Sequence, residues 1–171
     1  RHKPGRAFER TAYRFDVLCD YGAFRDLQRH RLLTIEWQRL SPAHGYAVPE
    51  ELRELGAEED WHRVMQESAD LHSGLAGAGL AEAAQYAVAM AYRVRFFMET
   101  NAREAMHMVE LRSAPQGHPT YRLVAQRMHE LIGGVHPAIA GTMTFADHSP
   151  VELGRLAAER RSEERRLGGD A

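Results

Sequence analysis

Short stretches of alternating apolar and polar residues, set between stretches of helical period, constrain this chain more than any other feature. Over residues 12–18, Tyr13, Phe15 and Val17 fall on one side, the period of a half-buried strand. Residues 34–40 alternate Ile35 and Trp37 against Glu36 and Gln38, and residues 92–97 place Val94 and Phe96 together. Between them lie helical patterns: residues 21–33 with Phe24, Leu27 and Leu32, and residues 50–73 with Trp61, Val64, Met65 and Leu71. A short helix is expected around 81–84, and Asn101 is an N-cap for a helix reaching about residue 112. A turn over 113–119 precedes a last helix over 120–132, bearing Tyr121, Val124, Met128 and Leu131. Helices and strands interleave without a regular βαβ rhythm, so the predicted class is α+β.

Breakers punctuate the pattern. Pro and Gly mark residues 41–49 as a loop, and Gly74, Gly77 and Gly79 are expected to end the long helix. That glycine run has no clear strand before it and lacks the dinucleotide fingerprint. The 171 residues suit one domain, assigned to 1–150, followed by a charged helix or tail over 151–171.

Composition narrows the function. With 22 basic against 24 acidic residues, the chain is not expected to hold nucleic acid by bulk charge. Cys19 is the single cysteine, which excludes an internal disulfide and a cysteine zinc site and points to a cytoplasmic protein. No apolar run approaches the roughly 20 residues of a membrane span, and the basic start has no hydrophobic stretch behind it. A first residue other than methionine reads as a piece of a longer protein.

Two groups of residues invite chemistry. Arg29, His30 and Arg31 are consecutive, read either as basic residues answering a helix C-terminus or as an anion clamp. On the helix after Asn101, Arg103 and His107 share a face at about 100° per residue. Arg112 falls among Ala105, Met108 and Val109, where an arginine is unusual unless it is paired or meets a ligand. Glu9, Glu36, His44 and His118 have no metal-ligand spacing, so no metal is assigned. No GxSxG motif or cysteine nucleophile context exists either.

Together these groups resemble the flavin-dependent thymidylate synthase family, marked by R-H-R-x-x-S-x-N-E-x-S-x-R. From Arg29 this chain keeps the RHR triplet, has Thr34 for the first serine, then Glu36 for asparagine and Trp37 for glutamate. Arg39 and Ser41 stand where the family has serine and arginine, an exchange of types two positions apart. Asn101, Arg103, His107, Leu111 and Arg112 reproduce the family's N-x-R-x-x-x-N/H-x-x-x-L-R after Phe96 and Phe97. Phe8-Glu9 resembles the family's Phe-Glu, and Gln116-Gly117-His118 sits where it has His-Ala-Gln. Gln85, sixteen residues before Asn101, stands at the place of a phosphate-binding arginine, with Arg93 or Arg95 as possible substitutes.

The resemblance implies mixed helices with an antiparallel sheet and reductive methylation of dUMP to dTMP with FAD, methylenetetrahydrofolate and NADPH. Arg29, His30, Arg31, Glu9, Asn101, Arg103 and His107 would bind the flavin, while Arg112, Arg39, Ser41 and Gln85 would face a dUMP-like nucleotide. No protein nucleophile is implied, and a homotetramer is the expected assembly. The substrate-side changes leave two further readings open: a catalytically degenerate binding or structural domain of a larger protein, and a flavoenzyme with another nucleotide substrate.

Overall fold

A computed structural model describes residues 4–151. Strands β1 (Ala12–Asp20), β2 (Leu33–Trp37) and β3 (Arg93–Asn101) form one sheet in the order β1-β3-β2. The Thr11 carbonyl accepts from the Ala102 N–H, and the Tyr92 carbonyl from the Tyr21 N–H, so β1 and β3 run antiparallel. Along β3, Val94, Phe96, Met98 and Thr100 are buried in strict alternation. This is the α+β architecture expected from the interleaved periods.

The helices are α1 (Tyr21–Leu27), α2 (Glu50–Glu54), α3 (Glu58–Gly77), α4 (Ala81–Ala84), α5 (Ala102–Arg112), α6 (Pro119–Val135) and α7 (Pro137–Ala140). Several bounds differ from the sequence reading. The first helix stops at Leu27, so Arg29, His30 and Arg31 lie just past its end in the link to β2, with the His30 N–H donating to the Leu27 carbonyl at 3.2 Å. The expected helix over 50–73 is two helices, broken at Gly56, whose φ of 67° suits a residue without Cβ. Gly74 sits inside α3, where a glycine costs about 1 kcal/mol, while Gly77 is its last residue and Gly79 follows the cap at φ 81°, so the run does end the helix. Of the apolar residues assigned to that helix, Met65 is buried while Val64 and Leu71 are exposed. α6 extends to Val135, and α7 had no distinct signal in the sequence. The charged tail assigned to 151–171 lies outside the described residues, apart from Val151.

The chain divides into two compact units. One comprises the segment up to Phe15, Asp26–Ile35 and the segment from Met98 onward. Its core is Leu27, Met98, Ala105, Met108 and Val109 together with Ala125, Met128 and Ile132 of α6. The other comprises Asp16–Arg25 and Glu36–Phe97. There Phe24 meets Phe96 edge-on with ring centroids 4.8 Å apart, and Met65, Val88 and Tyr92 form a second cluster.

Candidate functional site

Helix α5 organises the first unit. Asn101 caps it, its side chain accepting from the Glu104 N–H at 3.0 Å, as the sequence predicted. Capping fixes where the helix starts and hence which residues face inward. Glu104, Met108 and Arg112 follow at four-residue spacing, so they share a face. Glu104 is only 7% exposed, which for a carboxylate requires partners.

Those partners are histidines. The Nδ1 of His30 lies 2.8 Å from Glu104 Oε1, with the His30 side chain 2% exposed. His107, one turn further along α5 and exposed, places Nδ1 3.5 Å from the same oxygen. The rings of His30 and His107 pack edge-on with centroids 5.3 Å apart. On the far side of His30, Arg112 Nε donates to Nε2 at 3.2 Å. Arginine has donors only, so Nε2 accepts and the ring carries its proton on Nδ1, donating to Glu104. The His30–Glu104 contact is therefore a hydrogen bond of a neutral imidazole, made in a buried setting. Burial pushes the Glu104 carboxyl up, but the His30 hydrogen bond and the nearby His107 outweigh it, holding it below the usual carboxylate range.

His30, Glu104 and His107 offer ligand atoms within 4.8 Å of one another, a grouping suited to a divalent metal. Arg112 argues against that use. A metal on His30 Nδ1 would shift the proton to Nε2 and set two donors against each other at 3.2 Å.

Arg112 is held on three sides. Besides His30, its guanidinium carbon lies 5.5 Å from the ring centroid of Tyr121, and its Nη1 is 3.6 Å from Asp26 Oδ1. Gly117 allows that stack: a Cβ there would lie 2.6 Å from Tyr121 Cε2 and 3.0 Å from the Ala114 carbonyl. Arg29 reaches the same Asp26 oxygen at 3.4 Å, so two guanidiniums converge on one carboxylate. The side chain of Arg29 is two-thirds exposed, and Arg31 is also exposed, with no guanidinium partner among the described residues. Near the start of the unit, Arg103 donates to Glu9 at 2.5 Å. That bond holds the Glu9 carboxyl below its ordinary value. Seven residues expected at a flavin site, Glu9, Arg29, His30, Arg31, Asn101, Arg103 and His107, thus lie in one unit together with Arg112.

Three other expected site residues lie in the second unit. Arg39 pairs with Glu82, and Gln85 donates to Glu82 at 3.2 Å while accepting from the Leu40 N–H at 3.1 Å. Ser41 instead caps the turn at Pro42–His44 by accepting from the Ala43 N–H. β2 ends at Trp37, so Arg39 and Ser41 are not on one strand face, and their side chains have separate partners. Arg95, a possible substitute for the absent arginine, makes a two-pronged pair with Asp16 at 3.0 and 2.6 Å. Sequence reasoning missed Glu104, Asp26, Tyr121 and Glu82. Only Glu104 carried a signal, as an acid set on the apolar face of α5.

Comparison with known proteins bears out the family resemblance. The sequence profile of the family described as thymidylate synthase complementing protein matches residues 1–138. The chain belongs to this family, the flavin-dependent thymidylate synthases. A UPF0159 protein of Chlamydia muridarum is 42% identical over 161 residues, covering 94% of this chain and 30% of the relative. UPF0159 proteins of Chlamydia pneumoniae and Thermoplasma acidophilum are each 41% identical, over 95% and 93% of this chain and 30% and 32% of their own. The chain thus spans about a third of the length of the curated relatives it matches. Among the described residues, no helix is long and apolar enough to cross a membrane.

Proposed function

We propose that this chain is a thymidylate synthase domain that binds FAD and a dUMP-like nucleotide and takes part in reductive methylation of dUMP, with methylenetetrahydrofolate and NADPH. The observation that carries this reading is the meeting of the RHR segment with α5 through the His30–Glu104 and His30–Arg112 contacts. Donor chemistry fits a dinucleotide. Exposed Arg29 and Arg31 would take phosphates, and two forked guanidiniums suit such groups better than ammonium ions. Glu9, Asn101, Arg103 and His107 would complete the flavin site, and Arg112 would meet the nucleotide.

When bound, FAD supplies the hydride chemistry, leaving placement and charge to the protein. Cys19 is a poor nucleophile: burial pushes its thiol up to about 12. Assembly as a homotetramer is part of the same proposal.

A degenerate, ligand-binding role is the second reading. Its support is that Arg39 and Gln85, expected on the substrate side, both engage Glu82 within the chain. Titrating FAD into the purified chain, with and without dUMP, tests the main reading by visible absorption. Near-stoichiometric binding with a spectrum perturbed by dUMP is expected, followed by tritium release from 5-labelled dUMP. A folded protein that takes no flavin at high FAD would refute it. Flavin binding without tritium release would favour the degenerate role or a flavoenzyme with another nucleotide substrate.

A further inference from the structure

We propose that Glu104 is a positioning residue that, acting through His30, aims the Arg112 guanidinium at the nucleotide. This rests on the reading of Arg112 as a nucleotide contact. The family motif read in the sequence leaves position 104 open, so its assignment comes from geometry alone.

The argument follows the hydrogen bonds. A lone imidazole can carry its proton on either nitrogen. Glu104, an acceptor 2.8 Å from Nδ1, stabilises the tautomer with the proton there. Nε2 is then left as an acceptor, and Arg112 Nε fills it at 3.2 Å. With Nε tethered and the guanidinium carbon over the Tyr121 ring at 5.5 Å, the head group is restricted. The terminal nitrogens form the outer edge of that planar group, with Asp26 at 3.6 Å from Nη1. Such an edge suits a planar pair of acceptors on a nucleotide, since a pre-set fork loses less entropy on binding.

Without the carboxylate, the buried ring is free to place its proton on Nε2. That proton would meet a donor, and Arg112 would turn away. Placement of the groups supports the relay: His30 and Glu104 are both buried and Arg112 is largely so, which excludes water from competing for these bonds.

Two variants of the 171-residue chain test the idea, Glu104→Leu and Glu104→Gln. The leucine removes the acceptor, whereas the glutamine keeps a carbonyl oxygen in place. Nitrogen-15 NMR of labelled histidines reads the His30 tautomer in the parent and both variants, and dUMP affinity is measured beside it. The parent and Glu104→Gln are expected to carry the proton on Nδ1 and to bind dUMP within about threefold of each other. Glu104→Leu should lose that tautomer and bind dUMP about tenfold more weakly, the effect of one charge-assisted hydrogen bond.

A parent proton on Nε2, or stoichiometric Zn2+ uptake by the parent that removes the Nδ1–H signal, would overturn the relay. The same follows if Glu104→Leu binds dUMP as tightly as the parent. If Glu104→Leu does not fold, the parent tautomer and the Glu104→Gln affinity still decide: a Glu104→Gln loss as large as tenfold would contradict the acceptor role. A parent that binds no dUMP overturns the reading of Arg112, and the positioning role with it, even with the expected tautomer.

Discussion

Two groups of charged and polar residues in this chain look alike on paper and differ in physics. Around α5, Glu104, His30 and Arg112 form a chain of hydrogen bonds whose members are 8%, 2% and 15% exposed as side chains. Around α4, Arg39 and Glu82 pair with side chains 69% and 74% exposed. Each group joins residues that the family motif or its spacing singles out. In the first, water is excluded, so each lost bond leaves a polar group stranded. In the second, water replaces a lost partner at once, and surface pairs are worth little. A site built on the first kind keeps its shape without ligand, while the second rearranges freely around whatever binds.

The largest expected effect lies in the buried charges of the α5 unit. Arg122 is 2% exposed and donates to the Ser113 carbonyl at 2.9 Å, to Asp147 at 3.2 Å and to Ser149 at 3.0 Å. Arg122→Met should cost roughly 3 kcal/mol in urea unfolding, the lower end for a broken buried pair because Asp147 is partly exposed. A loss below 1 kcal/mol would show that burial does not set the value of these contacts.

Next comes Glu104→Leu, which strands the buried His30 Nδ1–H and should cost about 1–3 kcal/mol. Glu104→Gln sharpens the comparison through pH. The folded-state carboxyl titrates below its unfolded value, so its stabilisation is present above about pH 4.3 and lost as pH falls through the folded value. The glutamine variant should therefore show a shallower loss of stability below pH 4 than the parent. Equal acid slopes in the two proteins would remove Glu104 from the acid response.

Smallest is Glu82→Ala in the exposed group, where the thermal midpoint should not move measurably. A midpoint lowered as far as in Glu104→Leu would break the contrast altogether.

The sequence carried the local structure of this site well. Asn101 as a cap, the extent of α5, and Arg103 and His107 on one face follow from residue types and a 3.6-residue period. Arg112 on an apolar face was legible for the same reason, since a charge among Ala105, Met108 and Val109 demands an explanation. Family membership was readable from the RHR triplet and the helix motif, because both are local strings. The fold class was likewise legible, from period-two and period-3.6 segments that alternate irregularly.

Other features depend on which distant segments meet. His30 and Glu104 are 74 positions apart, and nothing in either neighbourhood announces the other. The consecutive Arg29, His30 and Arg31 had two local readings, and the structure sets them just past the end of α1 at Leu27. Packing then separated three adjacent cations, burying His30 and leaving Arg29 and Arg31 in water. Local propensity is a property of a few neighbouring residues and survives in the string. Burial, the tautomer of an imidazole and the partner of a guanidinium are set by atoms brought together from across the chain, and those the tertiary structure alone decides.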